Sequence, residues 1–262
     1  MTDTLQPMNK ISVHGLTMNF GSFVVMKDLG FDIAEKDIFA IVGESGCGKS
    51  TLLRHLIGLI EPAKGSICYG GESFTAATES ERMRFMGRFG VMYQSGALWS
   101  SMTLAENIAM PIEEMAGITS REALDLAYYK LALVGLSGFE NHYPSQISGG
   151  MKKRAGIARA IALDPEIIFL DEPGAGLDPL SSQRLDELIL KLRDTLGSTV
   201  VMVTHELASI FAIANNSVFL DVHTRTQGAT GNPVWLRDHS ENENVRLFYN
   251  RGKTGNPSDQ HD

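Results

Sequence analysis

The sequence predicts an α/β fold: a parallel-sheet core, a small antiparallel sheet before it and a helical insertion within it. Two observations predict the core. Ile38–Val42, Ile167–Asp171 and Thr199–His205 are short apolar runs rich in β-branched or aromatic residues, the pattern of strands buried on both faces. The last two flank a well-signalled helix, and strand, helix, strand implies a right-handed parallel crossover. A third observation sets the insertion, since from Ser101 to Leu163 the pattern is helical, broken by glycine, proline and serine turns.

Taken in order, Ile11 to Ile33 alternates short apolar runs with Gly15, Gly21 and Gly30, which predicts the antiparallel sheet. Ile38–Val42 leads through a glycine-rich turn into a helix over Thr51–Ile60, apolar at Leu52, Leu53, Leu56, Ile57 and Ile60 and ended by Pro62. Arg88–Gln94 reads as a further strand. The insertion holds helices over Leu104–Met110, Ser120–Leu133 and Met151–Leu163. Asp178 caps the next helix, Pro179 suits its first turn, Leu185, Leu188, Ile189, Leu192 and Leu196 form its stripe, and Gly197 stops it. Beyond Ser217 the signal weakens to a strand at Val218–Asp221 and helices at Val234–Asp238 and Glu243–Tyr249. A single domain is expected over residues 9–250, with its helical part at about 101–163, and the polar residues 251–262 are expected to be a disordered tail.

Composition narrows the class. A chain of 262 residues that is 43% hydrophobic holds enough apolar material for a substantial core. Its formal charge of −8 argues against broad attraction to nucleic acid or anionic lipid. The two cysteines, Cys47 and Cys68, have neither metal-like nor disulfide-like company, which fits a reducing compartment. No basic start precedes an apolar core at the N-terminus, and no run approaches the roughly 18 apolar residues of a membrane span. Work at a membrane would need another chain to cross it.

Three elements carry chemistry. GESGCGKST (Gly43–Thr51) fits G-x-x-x-x-G-K-[ST], with Gly43, Gly48, Lys49 and Ser50 in the fixed places. Glycines let successive N–H groups turn inward, and the positive helix end adds to them, making a cradle for phosphate oxygens. Lys49 is expected to reach the β- and γ-phosphates and Ser50 to ligate Mg²⁺. In IIFLDE a buried strand delivers Asp171 and Glu172 to its carboxyl end, where open α/β sheets bind ligands. Asp171 would hold Mg²⁺ through water, and Glu172 would accept a hydrogen bond from the attacking water. ISGGM opens a helix whose first turn offers Ser148, Gly149 and Gly150, a hydroxyl with bare N–H groups. Lys152, Lys153 and Arg154 follow it, and two readings stay open: projection into solvent, or a bound anion offsetting their charge.

Together, GESGCGKST, Gln94, ISGGM, FLDEP, GLDP (Gly176–Pro179) and His205 resemble the ATP-binding cassette ATPases across nearly the whole chain. The resemblance implies the P-loop NTPase (RecA-like) fold, ATP and Mg²⁺ as ligands, and catalytic roles for Lys49, Gln94, Glu172 and His205. It implies a metal held by Ser50, Gln94 and Asp171. Nucleotide contacts would come from Phe20, Gly43, Ser45, Gly46, Cys47, Gly48, Lys49, Ser50 and Thr51, with Asp178 as the D-loop residue and Ser148, Gly149 and Gly150 supplied by a second copy in a head-to-tail homodimer. Phe20 would stack on adenine, against the plainer reading of a strand-end core residue. The chain departs from the usual pattern at Ile147, Met151 and Pro173-Gly174-Ala175, and none of these removes a catalytic group.

SGGMKKRAGIARAIALDPEIIFLDEP and YQSGALWSSMTLAENIAMP look like the ATPases of bacterial lipid-trafficking systems of the Mla type. That narrower resemblance implies a permease of the MlaE type, a periplasmic MCE-domain protein, a small STAS-domain protein, and a peripheral place on the cytoplasmic face of the inner membrane. Ser95–Thr103 would take up the permease's coupling helix, with Trp99 serving either that interface or core packing. A cassette serving another cargo is the nearest alternative. A soluble cassette acting on nucleic acid would want a basic face or a second cassette, and a GTPase would want N-K-x-D; the sequence has neither. At the C-terminus, Val245, Phe248 and Tyr249 form an apolar edge that either docks a neighbour or packs on its own domain.

Overall fold

The computed structural model describes residues 9–251, so the expected tail lies outside the described residues except for Arg251. In chain order its elements are β1 (Asn9–Phe20), β2 (Phe23–Ala34), β3 (Ile38–Gly43), α1 (Lys49–Leu56), β4 (Lys64–Tyr69), β5 (Glu72–Ser73), α2 (Glu79–Met86) and β6 (Phe89–Met92). Then follow α3 (Leu104–Ala116), α4 (Ser120–Leu133), α5 (Gly149–Ala160), β7 (Ile167–Asp171), α6 (Pro179–Leu196), β8 (Thr199–Val203) and α7 (Leu207–Ile213). The chain closes with β9 (Asn216–Asp221), β10 (Thr226–Gly231), α8 (Pro233–His239) and α9 (Glu243–Asn250).

Among the described residues the strands form a four-stranded antiparallel sheet, β2-β1-β4-β5, and a six-stranded sheet ordered β10-β9-β3-β8-β7-β6. The larger sheet is parallel from β9 through β6, with β10 antiparallel at its edge. It is the middle layer. Ile38, Ala40 and Val42 of β3 face one core with α3–α7 and α9, while Phe39 and Ile41 face the other, shared with α1 and the antiparallel sheet. The expected architecture of parallel core, antiparallel sheet and helical insertion is the one observed.

Several boundaries differ from expectation for identifiable reasons. Helix α1 stops at Leu56 rather than Ile60, because the chain turns at Gly58, whose φ of +80° belongs to no helix. Helix α3 continues through Pro111 to Ala116 instead of ending at Met110. Burial of Leu104, Ile108 and Ile112 contributes about 1.5–3 kcal/mol each, which outweighs the roughly 3 kcal/mol cost of an interior proline. Helix α5 starts at Gly149, capped by Ser148, whose Oγ accepts from the Met151 N–H at 3.3 Å. Gln94 and His205 each stand two residues beyond a strand rather than closing it.

The apolar edge of α9 packs on its own domain. Val245, Phe248 and Tyr249 are buried, Phe248 against Phe219, and the Tyr249 hydroxyl lies 2.7 Å from Ser217 Oγ. Trp99 is 53% exposed, so it is not core.

Candidate functional site

Strand β3 ends at Gly43, whose φ of +149° and neighbours admit no side chain: a Cβ there would stand 2.6 Å from the Leu220 carbonyl oxygen. The loop then turns through Gly46 and enters α1 at Gly48, φ +104°, with no side chain capping the helix. The first amides of α1 are thus left for an anion. Lys49, almost fully buried, donates to the carbonyls of Gly43 at 3.0 Å and Glu44 at 2.9 Å, partners that leave its charge uncompensated by a carboxylate in those bonds. Cys47 turns inward, its thiol buried in the core and pushed up in pKa by that burial, so its side chain is inert packing.

Strand β7 brings Asp171 beside this loop, where Asp171 Oδ1 accepts from Ser50 Oγ at 3.3 Å. Burial pushes the Asp171 carboxyl up, opposed by the Ser50 hydrogen bond and the charges of Arg54, Lys153 and Lys49. Glu172 follows with φ +49°, a conformation that costs a non-glycine residue on the order of 1–3 kcal/mol and persists only where its surroundings fix it. Four contacts do so. Its N–H donates to Val203 O at 2.8 Å, its carbonyl accepts from Ala175 N at 3.3 Å and Lys153 Nζ at 2.9 Å, and Oε1 lies 2.9 Å from His205 Nδ1. The other carboxylate oxygen, Oε2, is buried without a partner.

Gly43, Ser45, Gly46, Gly48, Lys49, Ser50, Thr51, Gln94, Glu172 and His205 line a cleft of about 650 Å³, whereas Cys47 and Asp171 are not part of its lining. Phe20, 52% exposed, lies at its rim beside a residue the sequence did not single out, Phe23. The two are cross-strand partners flanking the Gly21-Ser22 turn, so both rings stand on one face, and Arg225 covers Phe23 at 4.9 Å. Arg251 also reaches the cleft, paired with Glu44 of the loop.

Ser148, Gly149, Gly150 and Asp178 are not brought there. They line a second cleft of about 720 Å³ between α5 and α6, which shares no residue with the first. No side chain crowds Gly149, and a Cβ on Gly150 would meet only Leu177 at 3.7 Å. Asp178 is engaged as the cap of α6, accepting from Ser181 N at 3.0 Å and from Ser181 Oγ at 2.5 Å.

The basic run after the signature turn, Ser148–Gly150, follows neither expectation wholly. Lys153 is 9% exposed and donates to the Gln94 carbonyl at 2.7 Å as well as to Glu172. Arg154 donates to the carbonyls of Val134 and Gly135 at 3.3 and 3.1 Å. A signal for Lys153 exists in the sequence: Lys153, Gly156, Ile157 and Ala160 fall at i, i+3, i+4 and i+7, the spacing of a buried helix face.

A glycine cradle at an uncapped helix, an acidic strand end beside it and a histidine just beyond the next strand define a phosphate-loop protein. The chain belongs to the ABC transporter family, whose pattern residues 26–175 match. It is similar to the probable ribonucleotide transport ATP-binding protein mkl of Mycobacterium leprae, 41% identical over 215 residues, which is 82% of this chain and 62% of that protein. It is also similar to the intermembrane phospholipid transport system ATP-binding protein MlaF of Escherichia coli K12, 34% identical over 230 residues and 86% of each chain. Among solved structures it resembles the ATP-binding cassette MJ0796 in a dimeric post-hydrolysis state bound to ADP and Pi, with a TM-score of 0.76, 26% identity, and coverage of 85% of this chain and 98% of that one. Among the described residues no helix is long and apolar enough to cross a membrane.

Proposed function

We propose that this chain is an ATPase and works as a head-to-tail homodimer that drives a phospholipid transporter of the Mla type. The observation that carries the dimer is the separation of two half-sites. One cleft holds Lys49, Glu172 and His205, the other holds Ser148, Gly149 and Gly150, and neither is complete alone. A second copy turned end to end would lay the bare N-terminus of its α5 over the phosphates held by the first. The similar cassette solved as a dimer with ADP and Pi supports that reading.

Within each cleft, Lys49 and the α1 amides would hold the β- and γ-phosphates, and Phe20 the base. Glu172 would orient an attacking water, and His205, 2.9 Å from Glu172 Oε1, would face the terminal phosphate. The residues fit a magnesium ion. Ser50 and Asp171 offer adjacent oxygen donors, and Gln94 lines the same cleft. Among the described residues no cluster of three or more His, Cys, Asp or Glu could hold a metal. A cation that keeps several waters and takes phosphate oxygens needs only such a small donor set. When bound, it would neutralise phosphate charge during transfer.

Phospholipid is favoured as cargo by coverage. MlaF matches along 86% of both chains, whereas this chain spans less than two thirds of the mkl relatives, so those carry further sequence it does not match. The assembly would add an MlaE-like permease, an MCE-domain protein and a STAS-domain protein, with the ATPase peripheral on the cytoplasmic face. Two experiments test this. ATP should convert a hydrolysis-deficient Glu172→Gln variant from monomer to dimer in light scattering; a monomer at saturating ATP rejects the composite site. Mass spectrometry of the co-purified permease complex should find phospholipid; a nucleotide or amino acid in its place rejects the cargo.

A further inference from the structure

Helix α5 does more than present the signature turn. Its inward face runs along the loop after β6 and touches it at three successive levels. Lys153 donates to the Gln94 carbonyl, Gly156 packs so closely on Gly96 that a Cβ would stand 2.9 Å from its Cα, and Arg159 donates to the Ala97 carbonyl. Of the three, Lys153 alone reaches further, to the carbonyl of Glu172 at 2.9 Å. Burying an ammonium is costly unless it is well partnered, and an amide or a hydroxyl would suffice for packing. This one is 9% exposed, bridges two carbonyls from different loops, and faces the carboxylates of Glu172, Glu206 and Asp171.

We propose that Lys153 is a positioning residue for ATP hydrolysis: it ties the helix carrying Ser148–Gly150 to the backbone of Gln94 and Glu172, so that seating of the signature turn on a neighbouring nucleotide is transmitted to the residue that orients water. The inference rests on the reading of Glu172 given above. Glu172 sits in a strained left-handed conformation, and Lys153 is one of the few groups fixing its carbonyl. Releasing that tie lets the peptide relax and swings the carboxylate off its line. The Gly156 and Arg159 contacts remain, so the helix stays docked.

The test compares Lys153→Met, which keeps the buried stem, with Lys153→Arg, which keeps the charge and its donors, both in the full chain. Lys153→Met should lower kcat ten- to a hundredfold, a typical range for groups that orient an active-site residue. KM for ATP and the equilibrium affinity for ATP should stay within about threefold, and Lys153→Arg should recover most of the turnover. Should Lys153→Met fail to fold, Lys153→Gln replaces it, with the same split expected. Wild-type kcat in the neutral variant overturns the proposal, and so does a loss of turnover that follows thermal stability with no recovery in Lys153→Arg. Glu172→Gln is run alongside: wild-type turnover there removes the role of Glu172 itself, whereas an inactive Glu172→Gln with a fully active Lys153→Met condemns Lys153 alone.

Discussion

His205 Nδ1 lies 2.9 Å from Glu172 Oε1, an arrangement that engages one carboxylate oxygen and leaves the buried Oε2 with no partner. An unpaired buried acceptor costs on the order of 1–3 kcal/mol. Glu172→Gln preserves shape and the contact with His205 but weakens the acceptor. Expected are ATP affinity within about threefold of the wild type and a fall in kcat on the order of a hundredfold or more. Equilibrium binding and steady-state phosphate release measure the two; hydrolysis at the normal rate would dismiss Glu172 as the water-orienting group.

The cleft carries two exposed rings where the sequence points to one. Phe20 and Phe23 are 52% and 56% exposed, too open for core residues, and the Arg225 guanidinium over Phe23 holds that ring in place. Stacking of a base on an aromatic side chain contributes about 1–3 kcal/mol. Phe23→Ala should therefore raise KM for ATP by roughly tenfold with kcat unchanged, and Phe20→Ala should do at least as much. A normal KM in Phe23→Ala leaves Phe20 as the sole platform.

Arg251 and Glu44 form an ion pair whose side chains are 52% and 41% exposed, and surface pairs of this kind contribute only about 0–1 kcal/mol to stability. Its consequence is electrostatic instead. Arg251→Ala would leave the Glu44 carboxylate uncompensated beside the phosphate loop. KM for ATP should rise severalfold at low salt, less so at high salt. Removing Glu44 as well should restore it, with melting temperature nearly constant throughout. A double variant as impaired as Arg251→Ala would refute the charge argument.

What could be read from the sequence follows the strength of local signals. Strands such as Ile167–Asp171 are continuous apolar runs, and helix α6 has its cap at Asp178, its stripe and its stop at Gly197, so both appear in the structure where the sequence puts them. Strand β10 has no such signal: TQGATG is half-buried at a sheet edge, and its position is set by pairing with β9. Helix α2 buries only Phe85, too little for a stripe, although its capping box of Thr78 and Glu81 stands in the sequence. The site divides in the same way. Lys49, Ser50, Asp171, Glu172 and His205 follow fixed spacings from strand ends, whereas Phe23, Lys153 and Arg251 reach the cleft or its loops only because distant elements are packed together.

Asp186 of α6 is buried against α7, and its pKa is raised to about 6, chiefly by burial; the Ser209 hydroxyl opposes the shift, while Glu206 and Glu187 add to it. Ser182 Oγ donates to Glu206 at 3.0 Å, so a second carboxylate is held in the same packed junction. Because the folded pKa exceeds the ordinary carboxylate value of 3.8, the folded state binds the proton more tightly than the unfolded chain between pH 3.8 and about 6. This group's contribution to stability is greatest below that window, declines as pH rises through it, and is least favourable above it. Asp186→Asn removes the ionisation and keeps an acceptor for Ser209. It should raise the melting temperature at pH 8 by at least about 2 °C more than it does at pH 4.5. Calorimetry at both pH values decides it, and a gain that is equal at both, or larger in acid, would show that Asp186 does not ionise within the fold in this range.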